Sequence, residues 1–260
     1  MTSLPAGRPL VVAHQGGNHL FPDNTLYAFE RSRALGTDVL EMDVHASADG
    51  VVVVIHDDTV DRTTDGRGAV RDTTFAELQA LDAAYRWSPH DAPGTTPYRG
   101  EGLTIPSLEE VLARFDGVHL NVEIKQLEPS ITAEVCRLIR EHGATERVLV
   151  ASFHDAVLRE FRRACPEVAT SLGPNEVRVL YALNTLFLGA LYRPAAEAVQ
   201  VPERFGTLRV VTERFIRSAQ RKNMQVHVWT VNDEADMRRL SAWGIDALIT
   251  DRPDLALTLR

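Results

Sequence analysis

Leu10-Val11-Val12-Ala13-His14, a helical stretch over 25–35 and Val39-Leu40-Glu41-Met42-Asp43 follow one another near the start of the chain, and this order decides the fold class. β-branched runs that alternate with helical ones read as strands crossed over by helices, which pair in parallel. The pattern recurs. Strand-like runs at 118–123, 148–152, 168–172, 198–201, 226–230 and 247–250 bring the total to eight, with helical stretches at 107–115, 130–142, 155–165, 176–191, 213–222 and 233–243. Eight such units in 260 residues predict an α/β fold, a (β/α)8 TIM barrel forming a single domain over 1–260.

One strand-like run is left over. Residues 51–56, Val-Val-Val-Val-Ile-His, follow the second strand through Ala46-Ser47-Ala48-Asp49-Gly50. Asp-Gly favours a two-residue hairpin turn, so this run is expected to return antiparallel as an extension of the second strand. With Asp49 and Gly50 as the turn, Ala48 pairs with Val51 and Asp43 lies opposite His56; a bulged turn would shift the register by one and turn His56 away. From 59 to 104 the periodicity fades into a stretch carrying Gly66, Gly68, Pro89, Pro93, Gly94, Pro97, Gly100 and Gly102. A segment of that length is expected to be an insertion over the barrel mouth, with a short helix over 75–81.

The apolar share of 44% suffices for a core, and the formal charge of -8 excludes a general nucleic-acid binder, which needs a basic surface. Cys136 and Cys165 are the only cysteines and both fall in helical stretches, so neither a disulfide framework nor a zinc ribbon is expected, and a reducing, cytoplasmic setting follows. Residues 1–8 show no apolar core of signal-peptide length. No run is long enough to span a bilayer. The most apolar helical stretch, 177–191, is expected to pack on the strands with its other face under a loop or a homodimer partner; the alternative is an interfacial helix in peripheral contact with a membrane.

Strand ends on one side of a barrel are where such enzymes keep their chemistry. Glu41 and Asp43 stand two apart and share a strand face, and Glu123 ends the strand expected beside theirs. One carboxylate alone is usually a surface group, but three together repel unless a cation joins them, and oxygen ligands suit a hard ion such as Mg²⁺, Ca²⁺ or Mn²⁺. His14 and His56 each close a strand and are candidates for proton transfer near neutrality. Lys125, two residues beyond Glu123, either pairs with an acid or meets a phosphate oxygen. Trp229 is a candidate apolar wall or a core residue, His45 could line the mouth, and Asn24 is placed to cap the first helix and orient the His14 loop.

The ordered set His14-Gln15-Gly16, Pro22-Asp23-Asn24-Thr25 with Ala28-Phe29, Glu41-Met42-Asp43-Val44, His56-Asp57, Arg62-Thr63-Thr64 and Glu123-Ile124-Lys125 resembles the glycerophosphodiester phosphodiesterase family. The similarity continues through Ile105-Pro106-Ser107-Leu108, Val228-Trp229-Thr230-Val231-Asn232 and Ile249-Thr250-Asp251-Arg252-Pro253. It implies a divalent cation on Glu41, Asp43 and Glu123, acid/base work by His14 and His56, and hydrolysis of a glycerophosphodiester to glycerol 3-phosphate and an alcohol. One scheme for the family has the glycerol 2-hydroxyl attack phosphorus and water open the cyclic phosphate. Gln15 stands where the family usually has arginine, which removes a charge and a bidentate fork from the substrate site shared with Lys125 and Trp229. A lysophospholipase D-type activity on acylated lysophospholipids, and a weakly active phosphate- or lipid-binding barrel, are the alternatives.

Overall fold

The strands of the computed structural model, which describes residues 8–260, are β1 (Leu10–Ala13), β2 (Val39–Ala46), β3 (Val52–Val54), β4 (His119–Ile124), β5 (Val148–Ala151), β6 (Ala169–Thr170), β7 (Ala198–Pro202), β8 (Arg204–Phe205), β9 (Leu208–Arg209), β10 (Gln225–Trp229) and β11 (Ala247–Thr250). Eight of them run in the order β6-β5-β4-β2-β1-β11-β10-β7, and a parallel bridge from Ser171 to Ala198 brings the two ends together. This nearly closed parallel barrel is the TIM barrel that the alternation predicts. The expectation drawn from residues 1–7 lies outside the described residues.

Helices α1 (Leu26–Leu35), α2 (Phe75–Gln79), α3 (Leu108–Arg114), α4 (Thr132–Glu141), α5 (Asp155–Ala164), α6 (Pro174–Thr185), α7 (Glu213–Gln220), α8 (Glu234–Ala242) and α9 (Pro253–Leu257) surround the strands. α9, about a turn and a half begun by Pro253, has no counterpart among the expected helices. Thr25, rather than Asn24, caps α1 by accepting from the Ala28 amide. Leu40, Met42 and Val44 of β2 face outward into a core shared with Leu108, Val111, Phe115, Ile139 and Phe161. The two-residue period of a strand therefore turns Glu41 and Asp43 inward.

The hairpin register differs from expectation by one residue. Val44 pairs with Val54 and Ala46 with Val52, and Ile55, not His56, donates its amide to the Asp43 carbonyl at 2.9 Å. The cause is a three-residue turn: Ser47 donates its amide to Val51, its hydroxyl bonds Asp49 at 2.6 Å, and Gly50 takes a φ of 83° that favours glycine. β3 ends at Val54, so His56 is not bound to the strand's alternation and the shift does not carry it away from the acids.

Three further expectations change. Cys136 and Cys165 form a disulfide, their Cα atoms 5.8 Å apart where α4 packs on α5. A cysteine count cannot reveal such a meeting across 29 residues, and the bond runs against the reducing setting inferred from that count. The stretch 177–191 is not one helix: α6 stops at Thr185, a short 3-10 turn covers Gly189–Leu191, and Leu186, Phe187, Leu188 and Leu191 are exposed. Among the described residues no helix is long and apolar enough to cross a membrane. The helix expected over 75–81 is the shorter α2, set in a satellite core of Val53, Ile55, Val60, Val70, Leu78 and Ile105 beneath the 59–104 segment.

Candidate active site

Parallel pairing sets Asp43 of β2 directly beside Glu123 of β4, with Glu41 two residues below on the same face. Carboxylate oxygens of the three lie within 4.8 Å of one another. Burial, with Asp43 close by, pushes the Glu41 carboxyl up to about 8, and burial also raises Glu123 despite the nearby Lys125. Burial would raise Asp43 as well, but Lys125 and then His56 hold it below its usual value.

Lys125 Nζ lies 3.0 Å from Asp43 Oδ1 and 2.8 Å from Glu123 Oε1. These are ion-pair distances, and apart from Lys125 neither buried oxygen has a donor among the described residues. The pair with the acids, one of the two roles open to Lys125 from the sequence, is thus what the structure contains. Burial lowers its affinity for the proton, but Asp43 and Glu123 hold the ammonium well above its ordinary pKa. Two buried carboxylate oxygens that share the single Lys125 ammonium, in a cluster where one member tends to take up a proton, form a donor set that fits a hard divalent ion.

Two histidine–aspartate pairs flank the acids. His14 Nδ1 donates to Asp251 Oδ1 at 2.7 Å, and His56 Nδ1 donates to Asp57 Oδ1 at 2.6 Å. Each pairing fixes the tautomer and leaves the ring's Nε2 for other work. Burial alone would lower His14, yet Glu41, the bond to Asp251 and Asp43 carry it up to about 9. Asp251 is itself held by Asn232, whose Nδ2 donates to Asp251 Oδ2 at 2.7 Å and whose Oδ1 accepts from the Asp251 amide at 2.9 Å. Asp57 is gripped by Arg62 Nε at 2.6 Å, and the same guanidinium reaches Asp23 at 3.1 Å.

Gln15 is where the structure departs most from the sequence. It is 4% exposed, in left-handed backbone with φ 52°. Its amide nitrogen donates to Glu41 Oε2 at 2.7 Å and its side chain to Asp43 Oδ2 at 2.9 Å. Asn24 joins it, donating to Asp43 Oδ2 at 3.1 Å and holding the His14 loop through its amide bond to the Gln15 carbonyl. Both amides therefore serve the acids.

Trp229 ends β10 half-buried and meets Phe153 edge to face with ring centroids 5.6 Å apart; Lys125 Nζ stands 5.5 Å from the Phe153 ring. His45 turns to the His56 carbonyl at 3.1 Å and lines a cavity of about 290 Å³ with Asp58, Lys125, Gln126 and Leu127. The 59–104 segment reaches the loop after β1 through Trp87 Nε1 on the Asn18 carbonyl and a His90 ring stacked on His19 at 4.1 Å. Asp251, Asn232 and Arg62 join the site although they are not among the candidates read from the sequence. The signal was position: Asp251 directly follows β11, as His14 follows β1, and Asn232 lies three residues past the end of β10.

An α/β barrel with buried acids and imidazole–carboxylate pairs at one end of its strands belongs among the TIM-barrel enzymes. The family model described as the glycerophosphoryl diester phosphodiesterase family matches residues 14–255, and the chain belongs to that family. It is 32% identical to a glycerophosphodiester phosphodiesterase of Caldanaerobacter subterraneus subsp. tengcongensis, covering 97% of this chain and 98% of that protein. A human protein named lysophospholipase D GDPD3 is 26% identical over 96% of this chain and 84% of its own. Among solved structures, an Oleispira antarctica phosphodiesterase in complex with the product sn-glycerol-3-phosphate superposes with a TM-score of 0.77 at 26% identity, covering 97% of this chain and 96% of that one.

Proposed function

We propose that the chain hydrolyses glycerophosphodiesters to glycerol 3-phosphate and an alcohol, using one divalent cation held by Glu41, Asp43 and Glu123. Mg²⁺ and Ca²⁺ are the leading ions and Mn²⁺ the third. The observation that carries this reading is the desolvated acid cluster between two histidines, each backed by its own aspartate. The glycerol 3-phosphate product in the Oleispira antarctica neighbour supports the substrate class.

When bound, the cation would supply positive charge to a phosphate oxygen and relieve the repulsion among the acids. Lys125 adds an ammonium beside them, suited to a second phosphate oxygen. Gln15 and Asn24 orient Asp43, so Gln15 acts on the acids and brings no charge to the phosphate. His14 and His56 hold and move protons at Nε2, one taking a proton from the nucleophile and the other giving one to the departing alkoxide. Less negative charge on the acids would bring His14 down from about 9 toward neutrality, where such exchange is most effective. Trp229 and Phe153 form an apolar wall. The chain works as one domain over 1–260, with 59–104 as cover for the mouth; the His19–His90 and Trp87–Asn18 contacts support that cover.

A second reading is a lysophospholipase D-type activity, favoured by exposed Leu127 and Phe153 beyond the ends of β4 and β5. The test for both is release of glycerol 3-phosphate or lysophosphatidate from glycerophosphocholine and lysophosphatidylcholine, after chelation and after each ion is restored. Ion-dependent release of glycerol 3-phosphate from the soluble diester is expected. Preference for the acylated substrate would favour the second reading, and no release from folded protein would overturn both.

A further inference from the structure

Outside the acid cluster, the largest unexplained feature is a set of bare apolar side chains toward the mouth. β7 ends at Pro202, and the chain at once forms the β8–β9 ribbon, in which Phe205 pairs with Leu208 and Arg204 with Arg209. None of these four is buried, and Phe205 is 77% exposed. The strands of the barrel are parallel, so the ribbon leaves from the same end as Lys125, Phe153 and Trp229, and Pro202 is the register partner of Trp229.

The exposed turn after α6 reaches the start of α7, the helix that follows the ribbon. Arg214, in the first turn of the helix that follows the ribbon, donates to the Asn184 carbonyl at 2.5 Å and stacks over Phe187 at 4.2 Å. Phe187 is 83% exposed, with Leu186 and Leu188 beside it. Arginines thread this patch. Between 177 and 214 the chain has five arginines against three glutamates, in a protein whose formal charge is -8, so the apolar rim carries a local positive excess. Of the three acids, Glu203 is engaged by Arg239 and, at 3.8 Å, by Arg209, which also lies over the Trp243 ring; Glu197 accepts from the Thr170 amide and Glu213 pairs with Arg217.

We propose that the β8–β9 ribbon and the 186–188 turn dock the mouth of this barrel onto an anionic lipid–water interface. Phe205, Leu208 and Phe187 would enter the headgroup region while Arg204, Arg209 and Arg214 meet lipid phosphates. Bare aromatic and aliphatic side chains interleaved with arginine suit such an interface, since apolar burial and attraction to anionic headgroups add. A second copy of this chain would have to meet the same arginines with arginines, because a two-fold interface puts one patch on itself. This inference deepens the proposed function by placing the site where a glycerophospholipid derivative is found, and it rests on that reading only for its purpose.

The experiment is co-sedimentation with vesicles of phosphatidylcholine alone and of phosphatidylcholine with phosphatidylglycerol, at low and high salt, using wild type and the double variant Phe205→Ser/Leu208→Ser. Wild type should sediment with the anionic vesicles and be released by salt. The double variant should bind at least about tenfold more weakly, since each side chain forgoes apolar burial. Its hydrolysis of soluble glycerophosphocholine should equal that of wild type, which keeps a failure of docking distinct from a failure of the active site. No wild-type sedimentation with anionic vesicles would overturn the proposal, as would sedimentation unchanged in the double variant, or a wild-type dimer that the two substitutions dissolve.

Discussion

The two sides of the barrel have been put to opposite uses. On the side of β1, β2 and β4, the strand ends carry His14, Glu41, Asp43, Glu123 and Lys125, mostly buried and tied into one another. On the side of β5, β7 and β10, the strand ends lead to half-buried Trp229, to Phe153 and to the β8–β9 ribbon, where Phe153, Phe205 and Leu208 are apolar and open. Burying charge is costly unless it is paired, so the first side is held by hydrogen bonds from Gln15, Asn24, Asn232 and Arg62. Exposing large apolar side chains also costs, and the second side does so with little to cover them. On the proposed reading, the first side performs the reaction and the second meets the substrate's surroundings.

The contrast breaks most visibly at the histidines. His14→Ala and His56→Ala should each lower turnover by about two to four orders of magnitude with the fold intact, measured on a soluble diester beside circular dichroism. Near-normal turnover in either variant would remove that histidine from the reaction. Asp251→Asn should cost about a hundredfold, because an amide in place of the carboxylate no longer favours the imidazole with its proton on Nδ1. The limb of the pH profile set by His14 should also move to lower pH in this variant, because Asp251 helps hold the imidazolium, while the Phe205→Ser/Leu208→Ser variant should leave it in place; an unmoved profile would make Asp251 merely structural.

The smallest effect is on stability. In chelated protein, Glu41 takes up a proton on folding, since its pKa rises from 4.5 to about 8, and the stability this gives is full below 4.5 and lost as pH climbs through about 8. His14 adds a loss of the same sign, from 6.5 up through about 9. His227, buried and lowered to about 4 by burial, acts only below 6.5. The melting temperature of the chelated protein should therefore fall between pH 6.5 and 9. Glu41→Gln should raise it by a few degrees at pH 8, as read by calorimetry; no gain in that variant would mean the acids are not under strain.

The barrel was legible because its signal is repetitive: apolar runs such as Val148-Leu149-Val150-Ala151 mark strands buried on both sides, and helices fall between them. The acid cluster was legible because Glu41 and Asp43 obey the strand period. What escaped depends on contacts across the chain. Asp251 meets His14 across 237 residues, and Cys136 meets Cys165 only because two helices pack together. That Gln15, expected at the substrate site, also holds Glu41 and Asp43 was not legible, because the left-handed backbone that turns it onto them leaves no mark in composition or periodicity. The hairpin register turned on the Ser47 hydroxyl, which draws a third residue into the turn.

The most direct test of the divided barrel is calorimetric titration of chelated protein with Mg²⁺, Ca²⁺ and Mn²⁺, with wild type set beside Glu123→Gln and Phe205→Ser/Leu208→Ser. One cation site in wild type, unchanged in the apolar double variant and weakened about tenfold or more in Glu123→Gln, is the predicted result. Binding that is equal in all three proteins would place the cation elsewhere and contradict the account.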